Sequence, residues 1–243
     1  MIASPALAAL DRIAARAQDL RDAFRGGAEP RHADVRGESR LFPSADPLSV
    51  AAPPGTWFLT RGPGGAAVYT RDGSFTIVDG VLRTGSGAAV LGFAGQTAGA
   101  RGALPEPLRL PDADRALGRC DAVRIESDGS LAYARTAIDP RSGERSTERI
   151  VVGRVALARF PAGTQPLRIN AAESAAPEGV VPHIGTAADG TFSSLASHTR
   201  DAGALDIDAA VRALSEAYIA FDALHAAQRA RGGTDRTAMD LVK

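Results

Sequence analysis

The chain has 243 residues, with 28 basic and 28 acidic side chains and so no formal net charge. That balance argues against nucleic acid as the main partner, since phosphate binding needs a basic surface. A single cysteine, Cys120, excludes an internal disulfide framework and reads as a small buried apolar side chain.

Apolar content is ordinary, aromatics are scarce, and glycine and proline are plentiful, so a core with many turns is expected. Almost every cation is arginine; the only lysine is Lys243. With the abundant alanine, this reads as a compositional bias, and alanine therefore says less about helix than its propensity would.

The first element is a helix over 1–27. Ser4 suits an N-cap, Pro5 the first helical position, and Gly26-Gly27 the end. Leu7, Leu10, Ile13, Ala17, Leu20 and Phe24 recur at three- and four-residue spacing, a single apolar stripe. Asp11 and Arg12 arrive too early for a secretory h-region, so no cleaved signal is expected here. No run reaches the ~18 apolar residues that span a bilayer. Residues 28–55 hold five prolines and little periodicity, which predicts a linker or extended arm.

A β-rich domain is predicted over 56–183. Short runs (57–61, 67–70, 74–78, 81–84) alternate with Gly-Pro-Gly-Gly, Asp72-Gly73, Asp79-Gly80 and Gly85-Ser86-Gly87. Asp-Gly between β-rich runs is a strong hairpin signal, because both residues tolerate positive φ. The glycines are thus expected to serve turns; Asp72 and Asp79 do not have the spacing of a Ca²⁺ loop. Residues 93–119 cross over, 123–135 form a hairpin about Asp128-Gly129, and 148–160 form a long strand with a bend at Gly153. Residues 184–205 read as a second linker, with an Asp189-Gly190 turn.

A closing helix is predicted over 206–243, capped by Asp206 or Asp208. Ile207, Val211, Leu214, Tyr218, Phe221, His225 and Gln228 step by four and three, with Leu224 broadening the seam. Arg231-Gly232-Gly233 is expected to interrupt it. These narrow apolar seams have three possible uses: against each other, against other copies, or over the β core.

No catalytic constellation stands out. His32, His183, His198 and His225 are scattered, Gly62–Gly65 lacks the Lys of a phosphate loop, and Ser86 is not in a nucleophile elbow. Asp112 and Asp114 are paired carboxylates whose default is solvated surface. Neither enzyme activity nor a cofactor, metal or small-molecule substrate is expected.

The stretch from Gly55 to Gly92 resembles the signature of bacterial flagellar basal-body rod and hook proteins. Gly55, Trp57, Phe58, Tyr69, Thr70, Arg71, Asp72, Gly73, Phe75, Gly80, Leu82, Thr84, Gly87, Val90, Leu91 and Gly92 carry it. Residues 123–133, 151–169 and 203–224 are similar to later segments of that family. The first helix departs from it, lacking the family's Asn-Asn-Leu-Ala-Asn and Thr-Pro-Gly-Phe motifs.

The resemblance implies a mainly β fold flanked by N- and C-terminal helices that pair as a coiled coil. It implies a structural axial subunit of the periplasmic rod, exported by the flagellar type III route without a cleaved signal. Its partners would be copies of itself and other axial proteins, with no direct membrane insertion. The chain is short for a hook subunit, which favours the rod. The interaction seam would be Leu7, Leu10, Ile13, Leu20, Phe24, Ile207, Val211, Leu214, Tyr218, Phe221 and Leu224. Tyr69, Thr70, Arg71, Asp72, Gly73 and Phe75 would form a structural motif. The alternative is a non-polymerising binding module that docks on the rod or hook.

Overall fold

The computed structural model describes residues 5–22, 40–62, 64–95, 103–116, 120–138, 145–170, 172–201, 203 and 207–241. A helix, α1 (Pro5–Asp22), comes first. Then come β1 (Leu41–Pro43), β2 (Val50–Ala51), β3 (Trp57–Arg61), β4 (Ala67–Thr70), β5 (Phe75–Val78), β6 (Val81–Thr84) and β7 (Ala89–Ala94). β8 (Glu106–Pro107) and the short α2 (Asp112–Ala116) lead to β9 (Asp121–Ile125), β10 (Ser130–Ile138) and the long β11 (Arg145–Arg159). β12 (Leu167–Arg168), β13 (Glu173–Ala175), β14 (His183–Thr186), β15 (Ala196–Ser197) and β16 (Thr199–Asp201) precede a closing helix, α3 (Ile207–Leu241). The chain divides into two compact units: one holds both long helices, the other spans Ser39–Gly203.

The β unit is built on β11. This strand pairs antiparallel with β10, β14, β3 and β7, and so organises a twelve-stranded sheet. Its period-2 alternation sorts two cores. Val155 and Leu157 face Phe58, Phe75, Leu82, Val90, Ile125 and Leu131. Ala156 and Ala158, on the other face, lie with Leu59, Tyr69, Leu91, Phe93 and Phe160. Alanine leaves room there for large neighbours, and Trp57 and Tyr69 both stand edge-on to Phe160, with centroids 5.2 and 5.0 Å away. The expected bend at Gly153 coincides with a bulge, where the β10–β11 register slips between Leu131 and Ala132.

The turn chemistry differs between two identical dipeptides. Asp79 and Gly80 both adopt positive φ and close the β5–β6 hairpin, as the sequence predicts. Asp72-Gly73 closes no hairpin: β4 pairs with β3 and β13, while β5 pairs with β6. Gly73 is not in the left-handed region; a Cβ there would sit 1.8 Å from the Val50 carbonyl oxygen.

The stretches read as linkers contain strands. β1 and β2 lie within 28–55, and β15, β16 and most of β14 lie within 184–205. Most of these strands are two or three residues long, too short for a period-2 pattern to show. Pro47 and Pro53 interrupt the first stretch but lend it acceptors: their carbonyls take the N–H groups of Ile125 (3.0 Å) and Thr56 (3.2 Å).

The helix unit corrects the expected coiled coil. α1 and α3 touch, but the buried centre is Ala210, with Leu20, Ala209 and Ala213 against it; Ile13 and Asp19 are buried on α1. A coiled-coil seam needs large apolar knobs at both repeating positions. Here Leu7, Leu10, Ile207, Val211 and Tyr218 are 41% to 54% exposed. The helices meet through small side chains and leave much of the predicted seam facing out. Leu214, Phe221 and Leu224 are half-buried. Phe24, Ser4 and Gly26-Gly27 lie outside the described residues. The expected break at Gly232-Gly233 does not form; α3 runs on to Leu241.

Candidate functional site

Two places bring together the residues singled out from sequence. The first is the loop from Tyr69 to Phe75, between β4 and β5. Tyr69 and Phe75 anchor its ends in the two cores, Phe75 edge-on to Phe58 at 5.0 Å. Thr70 Oγ1 accepts the Asp72 N–H, and Asp72 Oδ1 accepts the Ser74 N–H, both at 3.0 Å. These two side-chain turns fix the path of the loop. Gly73 then presses flat on the segment before β3, its carbonyl taking the Val50 N–H at 3.1 Å.

Arg71 turns inward and is buried. Its Nη1 donates to the carbonyls of Thr56 (3.0 Å) and Pro53 (3.5 Å), and its Nη2 donates to Asp201 Oδ2 at 2.8 Å. Asp201 is fully covered, and its other oxygen accepts the Gly203 N–H at 2.8 Å. One guanidinium thus joins the loop to the segment before β3 and to β16, 130 residues along the chain. Removing one partner of such a buried pair costs about 3–5 kcal/mol, because the other charge stays buried and unpaired. Burial also pushes the neighbouring Asp72 carboxyl above its ordinary value, against the Ser74 hydrogen bonds and the positive charge of Arg200. Sequence reading missed Asp201, Pro53 and Thr56; they lie far from Arg71 and share no periodic pattern with it.

The second place is the outer face of α3. Ile207, Val211 and Tyr218 step by four and seven residues, which puts them within about 40° of one another around the helix. All three are exposed, as is Ile219 nearby. His225 stacks flat on Phe221 at 6.0 Å, extending the aromatic character towards the C-terminal half.

The remaining chemical candidates resolve into structural contacts. Asp112 is exposed between Arg115 (3.4 Å) and Arg109 (4.0 Å). Asp114 instead accepts the Tyr133 hydroxyl and lies 3.8 Å from Arg135. Burial and that hydrogen bond push the Tyr133 hydroxyl far up, so it holds its proton. Cys120, expected to be buried, is only partly so; the desolvation there, with the Asp114 charge, still pushes its thiol up, away from the thiolate a nucleophile needs. Ser86 occupies the β6–β7 turn and bonds Glu173 and Thr84. His183 stacks on Phe192; His32 lies outside the described residues. Among the described residues no three His, Cys, Asp or Glu side chains form a metal-binding cluster. No described helix is long and apolar enough to cross a membrane, which says nothing about strands.

No family model matches this chain, and no curated protein matches it either.

Proposed function

We propose that this chain is a structural axial subunit of the bacterial flagellar basal-body rod, whose copies meet one another and other axial proteins through the outer faces of the terminal helices. The observation that carries the reading is the exposed stripe of Ile207, Val211 and Tyr218 on a 35-residue helix. A helix that needed only to fold would turn those side chains inward. Each such side chain gives about 1.5–3 kcal/mol when a neighbour covers it. Contacts between different faces build filaments where the rotation from copy to copy does not close.

The Tyr69–Phe75 loop supports the same reading from the other side. The Thr70, Arg71 and Asp72 side chains are spent on internal bonds, which fits the place of this loop in the resemblance as a structural motif. The reading places the protein in the periplasmic rod, delivered by flagellar type III export, with no enzyme activity of its own.

The test is motility and basal-body composition in a strain lacking this chain. Rods that stop at a fixed point, with the protein present in purified basal bodies, are expected. Complete rods and normal swimming would overturn the axial role. Finding the protein bound to rods that assemble without it would favour the docking module.

A further inference from the structure

The chain segment that enters the β unit is zipped along the segment that leaves it. β1 pairs antiparallel with β16, placing Leu41 opposite Asp201, Phe42 opposite Arg200 and Pro43 opposite Thr199. β2 pairs with β15, Val50 opposite Ser197 and Ala51 opposite Ala196. Between the two ladders, Ser44 N–H donates to the His198 carbonyl (2.8 Å) and Thr199 N–H to the Ser49 carbonyl (3.3 Å). Both ladders are separate two-stranded sheets, outside the twelve-stranded one.

An isolated two-stranded ribbon is marginal in water, and these have three and two residue pairs. At the Leu41–Asp201 end the sheet unit holds the ribbon through charge: Arg71 pairs with Asp201 at 2.8 Å, and Arg200 acts on Asp72 beside it. Further in, the Val50 N–H meets the Gly73 carbonyl and Val50 joins the core. Leu41 and Phe42 themselves stay about half exposed. Tethering is therefore unequal: apolar burial at the inner end, a buried ion pair at the outer.

The geometry points to a clasp. β1, β2, β15 and β16 open as one unit, starting from the Leu41–Asp201 end, while the twelve-stranded sheet stays folded, and the Arg71–Asp201 pair sets how often this happens. Opening frees the incoming and outgoing segments together, since each is the other's ladder. The ion pair governs it because an unpaired Arg71 is penalised only while closed; once open, water reaches the guanidinium.

Hydrogen exchange of the full chain, read by mass spectrometry, tests this. In the unmodified protein, peptides covering 41–51 and 196–201 are expected to exchange together and faster than those of β11; equal protection would overturn the clasp. Asp201→Asn should speed exchange in those two segments by roughly a hundredfold to a few thousandfold and leave β3, β7 and β11 unchanged. A rise spread evenly over β11, or none in the two segments, would overturn the role of the pair. Arg71→Met with Asp201→Asn removes both charges, and should exchange more slowly there than Asp201→Asn alone. A double variant as fast as the single one would also count against the mechanism.

Discussion

Replacing Gly73 by alanine isolates one close approach of two backbones. The added Cβ would lie 1.8 Å from the Val50 carbonyl oxygen, 2.9 Å from its carbon and 3.0 Å from Phe58 Cε2. Real Cβ contacts stay beyond 3.0 Å, so the loop and the Val50 segment must part by more than an ångström. The Val50 N–H to Gly73 carbonyl bond, already 3.1 Å, cannot survive that movement. Overpacking costs about 1–3 kcal/mol and the lost bond about 1 more, for a total of about 2–4. For a chain of this size that corresponds to a melting point lower by about 4–16 °C. Trp57 is the chain's only tryptophan and lies in the second core, so its fluorescence follows this unit specifically. Gly85→Ala is the control: nothing lies within 4 Å of its Cβ and its φ is not positive. It should be neutral or raise stability by about 0.4–1 kcal/mol through the unfolded chain. If Gly73→Ala melts no lower than Gly85→Ala, the close approach is not what requires glycine.

Four further outcomes follow from the same geometry. Phe58→Ala empties the centre of the first core and should cost about 3–5 kcal/mol in urea unfolding. Glu126 is held below its ordinary value, chiefly by the Arg149 hydrogen bond, so its contribution is present above pH 4.5 and lost as pH falls through the folded value; Glu126→Gln should melt lower at pH 7, with the gap closing in acid. Asp72 has the opposite sign. Burial raises it, so its contribution is full below pH 3.8 and lost as pH rises through the folded value; Asp72→Asn should melt higher at pH 7, with the gap again closing in acid. Val211→Asp and Tyr218→Asp should abolish incorporation into basal bodies while leaving the Trp57 melting transition within about 2 °C of the unmodified chain; normal incorporation would remove the outer face of α3 from the proposed assembly contact.

What the sequence discloses here depends on how far apart the cooperating residues lie. Asp79-Gly80 is legible because its chemistry is local: two adjacent residues tolerate positive φ and a hairpin closes on them. Asp72-Gly73 has the same letters and a different reason, the Val50 carbonyl, 23 residues upstream. Nothing in the local pattern separates the two cases. The same holds for Arg71, whose partner is 130 residues away, and for the β1–β16 and β2–β15 ladders, whose strands come from opposite ends of the β unit. The strands that periodicity does reveal, such as β11, are those long enough to alternate by themselves.

The helices show a different limit. Spacing marks Ile207, Val211, Leu214, Tyr218, Phe221 and Leu224 as a repeating set, yet it does not say which neighbours turn inward. Alanine, discounted in this arginine- and alanine-rich chain as compositional bias, decides the matter: Ala209, Ala210 and Ala213 take the contact with Leu20. A small side chain lets two helices approach closely but buries little area of its own. The contact between α1 and α3 therefore uses up few of the large apolar residues, and leaves Ile207, Val211 and Tyr218 in water. That leftover surface, more than the presence of helices as such, is why association with another chain is the function worth testing first.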